Sequence, residues 1–224
     1  MRDSIVNNPK QSIDALTVLA HRGWWKQPLV ANSIAACEAA LVRGLGVEFD
    51  VRDYSGKLVI AHDVLEAVRP CVADLAAAYC QLQSSATLAI NIKADGLGAL
   101  IEAEVVRRGI TNYFCFDMSL PESLRYRRLG LRYFTRESEY EPAPVLYDDA
   151  AGVWMDMFES DWITADGIRR HLDRGKQVAL VSPELHRRPY MPFWERLRAA
   201  DLTQYSGLML CTDHPDAARS FFDA

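Results

Sequence analysis

Short β-rich runs alternate with helical segments along almost the whole chain, and nothing else in the sequence restricts the fold as strongly. Strands are expected at 18–21, 47–52, 88–93, 113–116, 131–135, 153–157, 178–182 and 208–212. Helices are expected at 34–43, 72–81, 97–108, 122–129, 164–174 and 193–200, with 216–222 closing the chain. The fifth connection, 141–150, reads as a brief helix only. Gly109 and Gly130 stand just past helical runs, where a left-handed cap is needed. Regular strand–helix alternation implies a parallel sheet. Eight such units count out a single-domain α/β protein, a (β/α)8 TIM barrel over 17–224, preceded by an extension at 1–16. A doubly wound open sheet is the alternative, but a Gly-rich phosphate loop is missing after the first strand.

Composition narrows the partners. Twenty-five basic and 30 acidic side chains leave a net charge of −5, the wrong balance for a protein that lives on phosphate backbones. No nucleic-acid partner is expected. The Arg125, Arg127, Arg128 and Arg169, Arg170 clusters read as solvated helix faces. No apolar run approaches a membrane span, and the start lacks a signal-peptide stretch. Five scattered cysteines without metal-ligand spacing agree with a reducing compartment. A cytoplasmic protein without stable membrane insertion is expected; the oligomeric state is left open.

A barrel puts its chemistry at the C-terminal strand ends. In Val47-Glu48-Phe49-Asp50-Val51-Arg52, alternation sends Val47, Phe49 and Val51 outward and Glu48, Asp50 and Arg52 inward. Two carboxylates on one face repel unless positive charge stands between them. A hard divalent cation would supply it; so would Arg22, Arg52 or Lys93. Asn91 and Lys93 face inward by the same logic on the next strand. His21 and His62 end apolar runs, and two such histidines can form an acid–base pair. A Ser182 triad with His186 or His214 is a weaker option, because no Gly-x-Ser-x-Gly elbow is present. A Cys211 nucleophile is weaker again, lying inside an apolar run.

The ordered set Ala20-His21-Arg22-Gly23, Asn32-Ser33, Glu48-Phe49-Asp50-Val51 and Ser55-Gly56 to His62-Asp63 resembles the glycerophosphodiester phosphodiesterases, of the phospholipase-C-like phosphodiesterase superfamily. Ile90-Asn91-Ile92-Lys93 and Cys211-Thr212-Asp213-His214-Pro215 extend the resemblance over nearly the whole chain from about Thr17. It implies a TIM barrel and a phosphoric diester hydrolase acting on a small-molecule phosphodiester. It implies His21 and His62 as the acid–base pair, Arg22 and Lys93 as phosphate-binding groups, and Glu48, Asp50 and Asn91 around one divalent cation, Mg²⁺ or Ca²⁺. Two positions depart from the family pattern: Asn91 stands for a ligand Glu, and Ala31 for the Glu before the Asn-Ser pair. A weakly bound cation is expected in consequence. Trp25, Asp117, Glu184 and His186 are candidates for the substrate pocket. A lyase that forms a cyclic phosphate, and a catalytically weakened binding module, are the alternative functions.

Overall fold

The computed structural model describes residues 16–64, 69–203 and 205–223. Apart from Leu16, the expected extension at 1–16 lies outside the described residues. In chain order the elements are β1 (Thr17–His21), α1 (Ile34–Val42), β2 (Gly46–Tyr54), β3 (Lys57–Ile60), α2 (Val72–Gln81), β4 (Leu88–Ile92), α3 (Gly98–Glu104), β5 (Tyr113–Phe116), α4 (Leu120–Leu129), β6 (Phe134–Glu137), β7 (Gly152–Met155), α5 (Ala165–Leu172), β8 (Gln177–Val181), α6 (Met191–Ala199), β9 (Leu208–Thr212) and α7 (Pro215–Phe222). Three helices start on a side-chain cap. Ser33, Ser119 and Thr164 each accept a backbone N–H of the first turn, a contact worth about 1 kcal/mol at such a position.

The sheet runs β5-β4-β2-β1-β9-β8-β7-β6. All these neighbours are parallel, and β1 pairs with both β2 and β9. The ring is drawn nearly shut between β5 and β6, where an isolated parallel bridge joins Cys115 to Tyr133. This is the (β/α)8 barrel expected. Alternation sorts the side chains as the strand pattern required. Val47, Phe49 and Val51 join the core between sheet and helices. Leu19, Ala89, Phe114, Phe116, Phe134, Trp154, Met209 and Cys211 fill the barrel interior. There the Phe114 and Phe134 rings stack at 3.7 Å across the loose seam, and Phe116 stacks on Trp154 at 3.8 Å. Removing one of these buried rings costs about 3–5 kcal/mol. No helix among the described residues is long and apolar enough to cross a membrane.

Two features depart from the expected plan. The apolar run before His62 is a strand, β3, which turns back antiparallel on β2 through Ser55 and Gly56, both at positive φ. That is the two-residue hairpin geometry whose twist matches the strands. The brief helix expected at 141–150 is absent; the segment is a series of turns. Pro142 and Pro144 remove two backbone donors and push the residues before them out of helical geometry. Polar contacts fasten the segment instead: Thr135 Oγ1 donates to Val145 O at 2.6 Å, and Lys176 Nζ to Asp148 O and Ala150 O at 2.9 and 2.7 Å. Tyr147 Oη lies 2.9 Å from His171 Nδ1.

Candidate active site

Strand register assembles the polar cluster. His21 stands opposite Glu48, and Asp50 opposite Asn91. Alternation then turns Glu48, Asp50 and Asn91 into the top of the barrel, where they are 1%, 1% and 8% exposed. The β2–β3 hairpin returns His62 over them, with Ala61 N–H donating to Asp50 O at 3.0 Å. The result is a cavity of about 300 Å³ lined by His21, Arg22, Glu48, Asp50, His62, Asn91, Lys93, Asp117, Asp156 and His186, together with Trp154, Phe158, Val181 and Leu185. Nine of the eleven candidates thus meet in one place.

Each histidine of the cavity is oriented by a carboxylate. His21 Nδ1 lies 2.6 Å from Asp213 Oδ1, and His62 Nδ1 lies 2.8 Å from Asp63 Oδ1. An ionised carboxylate only accepts, so both Nδ1 atoms carry hydrogen and both Nε2 atoms are left for the cavity. His186 is turned the other way, with Nε2 at 2.7 Å from Asp156 Oδ1. Burial works against a protonated His21, but the bond to Asp213 and the charges of Glu48 and Asp213 outweigh it, and its pKa lies above the ordinary histidine value. Burial likewise pushes the Glu48 carboxyl up, with Asp50 adding to the effect against His21, Lys93 and the Arg22 N–H.

Asp50 gathers the cations. Arg22 Nε is 3.1 Å from its Oδ2, at ion-pair distance without hydrogen-bond alignment. Lys93 Nζ is 3.4 Å from Oδ1, and Asn32 Nδ2 donates to Oδ2 at 2.7 Å. The ion chain continues from Lys93 to Asp117 at 3.5 Å, to Arg136 at 2.9 Å and to Glu141 at 2.8 Å. Arg22 and Asp117 hold left-handed backbone, φ 58° and 72°, a strained conformation that accumulates at functional sites. Gly23 follows at φ +87°; a Cβ there would stand 2.6 Å from the backbone carbon of Ala36. Only glycine lets this turn press against α1 while holding Arg22 over Asp50.

The donor set fits a hard divalent cation. Among the described residues no three His, Cys, Asp or Glu side chains converge as a metal-ligand group. Any cation beside Glu48 and Asp50 therefore needs a neutral oxygen. Asn91 offers one: its Nδ2 donates to Glu48 Oε1 at 3.2 Å, while its buried Oδ1 has no partner. Two carboxylates and an unspent amide oxygen are ligands of the kind Mg²⁺ and Ca²⁺ take.

The remaining candidates fall outside the cavity. Trp25 is 38% exposed and its Nε1 donates to His21 O at 2.8 Å, bracing the turn. Its neighbour Trp24 is covered by the Arg43 guanidinium, 3.7 Å from the ring centre, and its Nε1 donates to Asp216 Oδ2. Glu184 points below the cavity toward β9 and accepts from Ser182 Oγ, Thr212 Oγ1 and the Asp213 N–H. Ser182 is fully buried and bonded to Glu184 and Trp194, which removes it as a nucleophile. Cys211 is enclosed in the barrel, where burial holds its thiol far above the ordinary range. Sequence reasoning gave no role to Asp213, Asp63 or Arg136. A strand-alternation argument reaches Arg136 once β6 is extended past Thr135; Asp213 is marked by its place at the end of the β9 run and in the Thr212-Asp213-His214-Pro215 turn, although its partner is not.

No protein-family model matches the sequence, and no curated protein matches it. Solved structures do. A protein of Galdieria sulphuraria assigned as a glycerophosphodiester phosphodiesterase superposes with a TM-score of 0.73 at 16% identity, over 96% of this chain and 100% of its own. A glycerophosphodiester phosphodiesterase of Agrobacterium tumefaciens superposes at 0.65 and 15% identity, over 93% and 100%. A D-allulose 3-epimerase of Methylomonas sp. reaches 0.50 at 12% identity, over 88% and 84%. At these identities the likeness establishes the barrel, a scaffold that hosts many chemistries.

Proposed function

We propose that this chain is a metal-dependent phosphodiesterase of the glycerophosphodiester phosphodiesterase kind. It hydrolyses a glycerophosphodiester, or a similar small diester, to an alcohol and a phosphomonoester such as sn-glycerol 3-phosphate. The observation that carries the reading is that two carboxylate-oriented imidazoles share one cavity with Arg22 and Lys93.

Arg22 and Lys93 bind the nonbridging oxygens and orient the phosphorus. One of the two free Nε2 atoms, on His21 or His62, takes the proton of the attacking water; the other, protonated, gives one to the leaving alcohol. Charge balance supports a cation as well. Glu48 and Asp50 stand side by side in the cavity, 1% exposed each, and two neighbouring buried carboxylates are eased by a cation between them. Glu48, Asp50 and Asn91 would hold one Mg²⁺ or Ca²⁺, and when bound it supplies charge stabilisation to the phosphoryl oxygens. All five cysteines are free, as befits the cytoplasmic location that belongs to this reading.

The test is a panel of phosphodiesters offered to purified protein with Mg²⁺, Ca²⁺, Mn²⁺ or EDTA. Cation-dependent release of a phosphomonoester is expected. Phosphorus NMR in ¹⁸O water should show the label directly on phosphorus in the first product. A cyclic phosphate would make the protein a lyase. Binding without turnover would make it a phosphodiester-binding module.

A further inference from the structure

The backbone ladder between β8 and β9 ends where Ser182 N–H donates to Cys211 O at 2.9 Å. Beyond that point, among the described residues, the Glu184 side chain holds the two strand ends together. Glu184, in the short turn Pro183–His186, accepts from the hydroxyls of Ser182 and Thr212 and from the Asp213 N–H at 3.1 Å. Both hydroxyl residues are fully buried. Each is also held from its other side. Trp194 Nε1 donates to Ser182 Oγ at 2.9 Å, and His214 N–H donates to Thr212 Oγ1 at 3.0 Å. Asp213, whose amide this clasp grips, reaches His21 Nδ1 with its carboxylate.

We infer that Glu184 is a positioning residue: it fixes the Thr212–Asp213 turn so that Asp213 holds the His21 ring with Nδ1–H inward and Nε2 toward the cavity. The inference rests on the phosphodiesterase reading of that cavity. A carboxylate gripped on both oxygens by three donors is held in one orientation. Without it, the Asp213 amide and the Thr212 hydroxyl lose their acceptor, and the Asp213 carboxylate is free to turn to water. A misplaced acid–base group loses rate without losing substrate affinity. The contrast is His62, whose partner Asp63 has a side chain 91% exposed.

The test compares Glu184→Ala, Glu184→Gln and Thr212→Val by turnover and by the NMR signature of the His21 Nδ1–H. Glu184→Ala and Thr212→Val are expected to lower kcat about tenfold or more at nearly unchanged KM, the scale of a misplaced acid–base group, and to broaden the Nδ1–H resonance away. Glu184→Gln, which keeps the shape and an accepting oxygen, should restore both. In an Asp213→Ala background, Glu184→Ala should cost nothing further. A folded Glu184→Ala protein with native kcat and resonance would overturn the inference, as would losses that multiply in the double variant. So would a Glu184→Gln protein as damaged as Glu184→Ala. If Glu184→Ala does not fold, Thr212→Val carries the same two outcomes. The resonance is read without substrate, so it answers even if the wild type cleaves no phosphodiester, a result that would strike the proposed function alone.

Discussion

Asn91 Nδ2 donates to Glu48 Oε1 at 3.2 Å and leaves its own Oδ1 buried without a partner. The amide thus sits where it can serve a cation beside Glu48 and Asp50, but it brings no charge to the task. Asn91→Glu should tighten Mg²⁺ or Ca²⁺ by roughly 1–3 kcal/mol, the interaction of one added charge at an effective dielectric near 20. Calorimetric titration of both proteins checks this. Equal affinities, or full activity in EDTA, would remove Asn91 from the cation's surroundings.

His21 and His62 should each be indispensable. Alanine at either position is expected to lower kcat on the order of 10²-fold or more. Their aspartates should differ. Asp213 is clasped and its His21 side chain is 19% exposed, whereas His62 is 45% exposed beside an open Asp63. Asp213→Asn should cost on the order of 10²-fold in kcat and Asp63→Asn only about threefold, since an exposed pair contributes little. Steady-state kinetics of the four variants separate these outcomes.

Gly23→Ala places a Cβ against the α1 backbone at positive φ. The turn must shift, at a cost of about 1–3 kcal/mol, and Arg22 shifts with it. Thermal unfolding should report the lower stability. Phosphodiester KM should rise more than kcat falls, because Arg22 binds rather than transfers protons.

Burial opposes ionisation of Asp216, but its bonds to Lys26 Nζ at 2.6 Å and to Trp24 Nε1 at 2.9 Å prevail and lower its carboxyl pKa. A carboxyl depressed in the folded state stabilises above its unfolded pKa, and that stability is lost as pH falls through the folded value. Asp216→Asn should therefore lower Tm at pH 7 and lower it less near pH 3, both readable by calorimetry. Equal shifts at the two pH values would show that the charge contributes nothing.

Much of this architecture was legible because strand alternation is a rigid rule. Glu48, Asp50, Asn91 and Lys93 alternate with apolar residues on two strands, and that alone put them on one face. The register that brings His21 level with Glu48 is visible only in the β1–β2 ladder, because parallel pairing alone does not fix it. Proline chemistry at Pro142 and Pro144 was strong enough to overrule the helix expected there, but its weight shows only once the segment's tertiary anchors are known. Glu184 was misread for a different reason. A polar residue after a strand end can turn into the cavity or beneath it, and only the donors waiting on β9 decide. Asp213 and His21 stand 192 residues apart, so no local pattern announces their pairing.

The loose junction between β5 and β6 has a mechanical meaning. The ends of the barrel sequence, β1 and β9, are sewn together by four aligned residue pairs, while the ring's weakest stitch lies half-way along the chain. Parting it sacrifices one bridge, the Phe114–Phe134 stack, the Arg132 N–H bond to Tyr113 Oη and the Asp117–Arg136 ion pair, and leaves every ladder on either side intact. An opening at this junction would separate Asp117 from Arg136 and widen the rim beside Lys93. Amide exchange should be fastest where Cys115 N–H meets Arg132 O and slow along β1, at the opposite side of the ring.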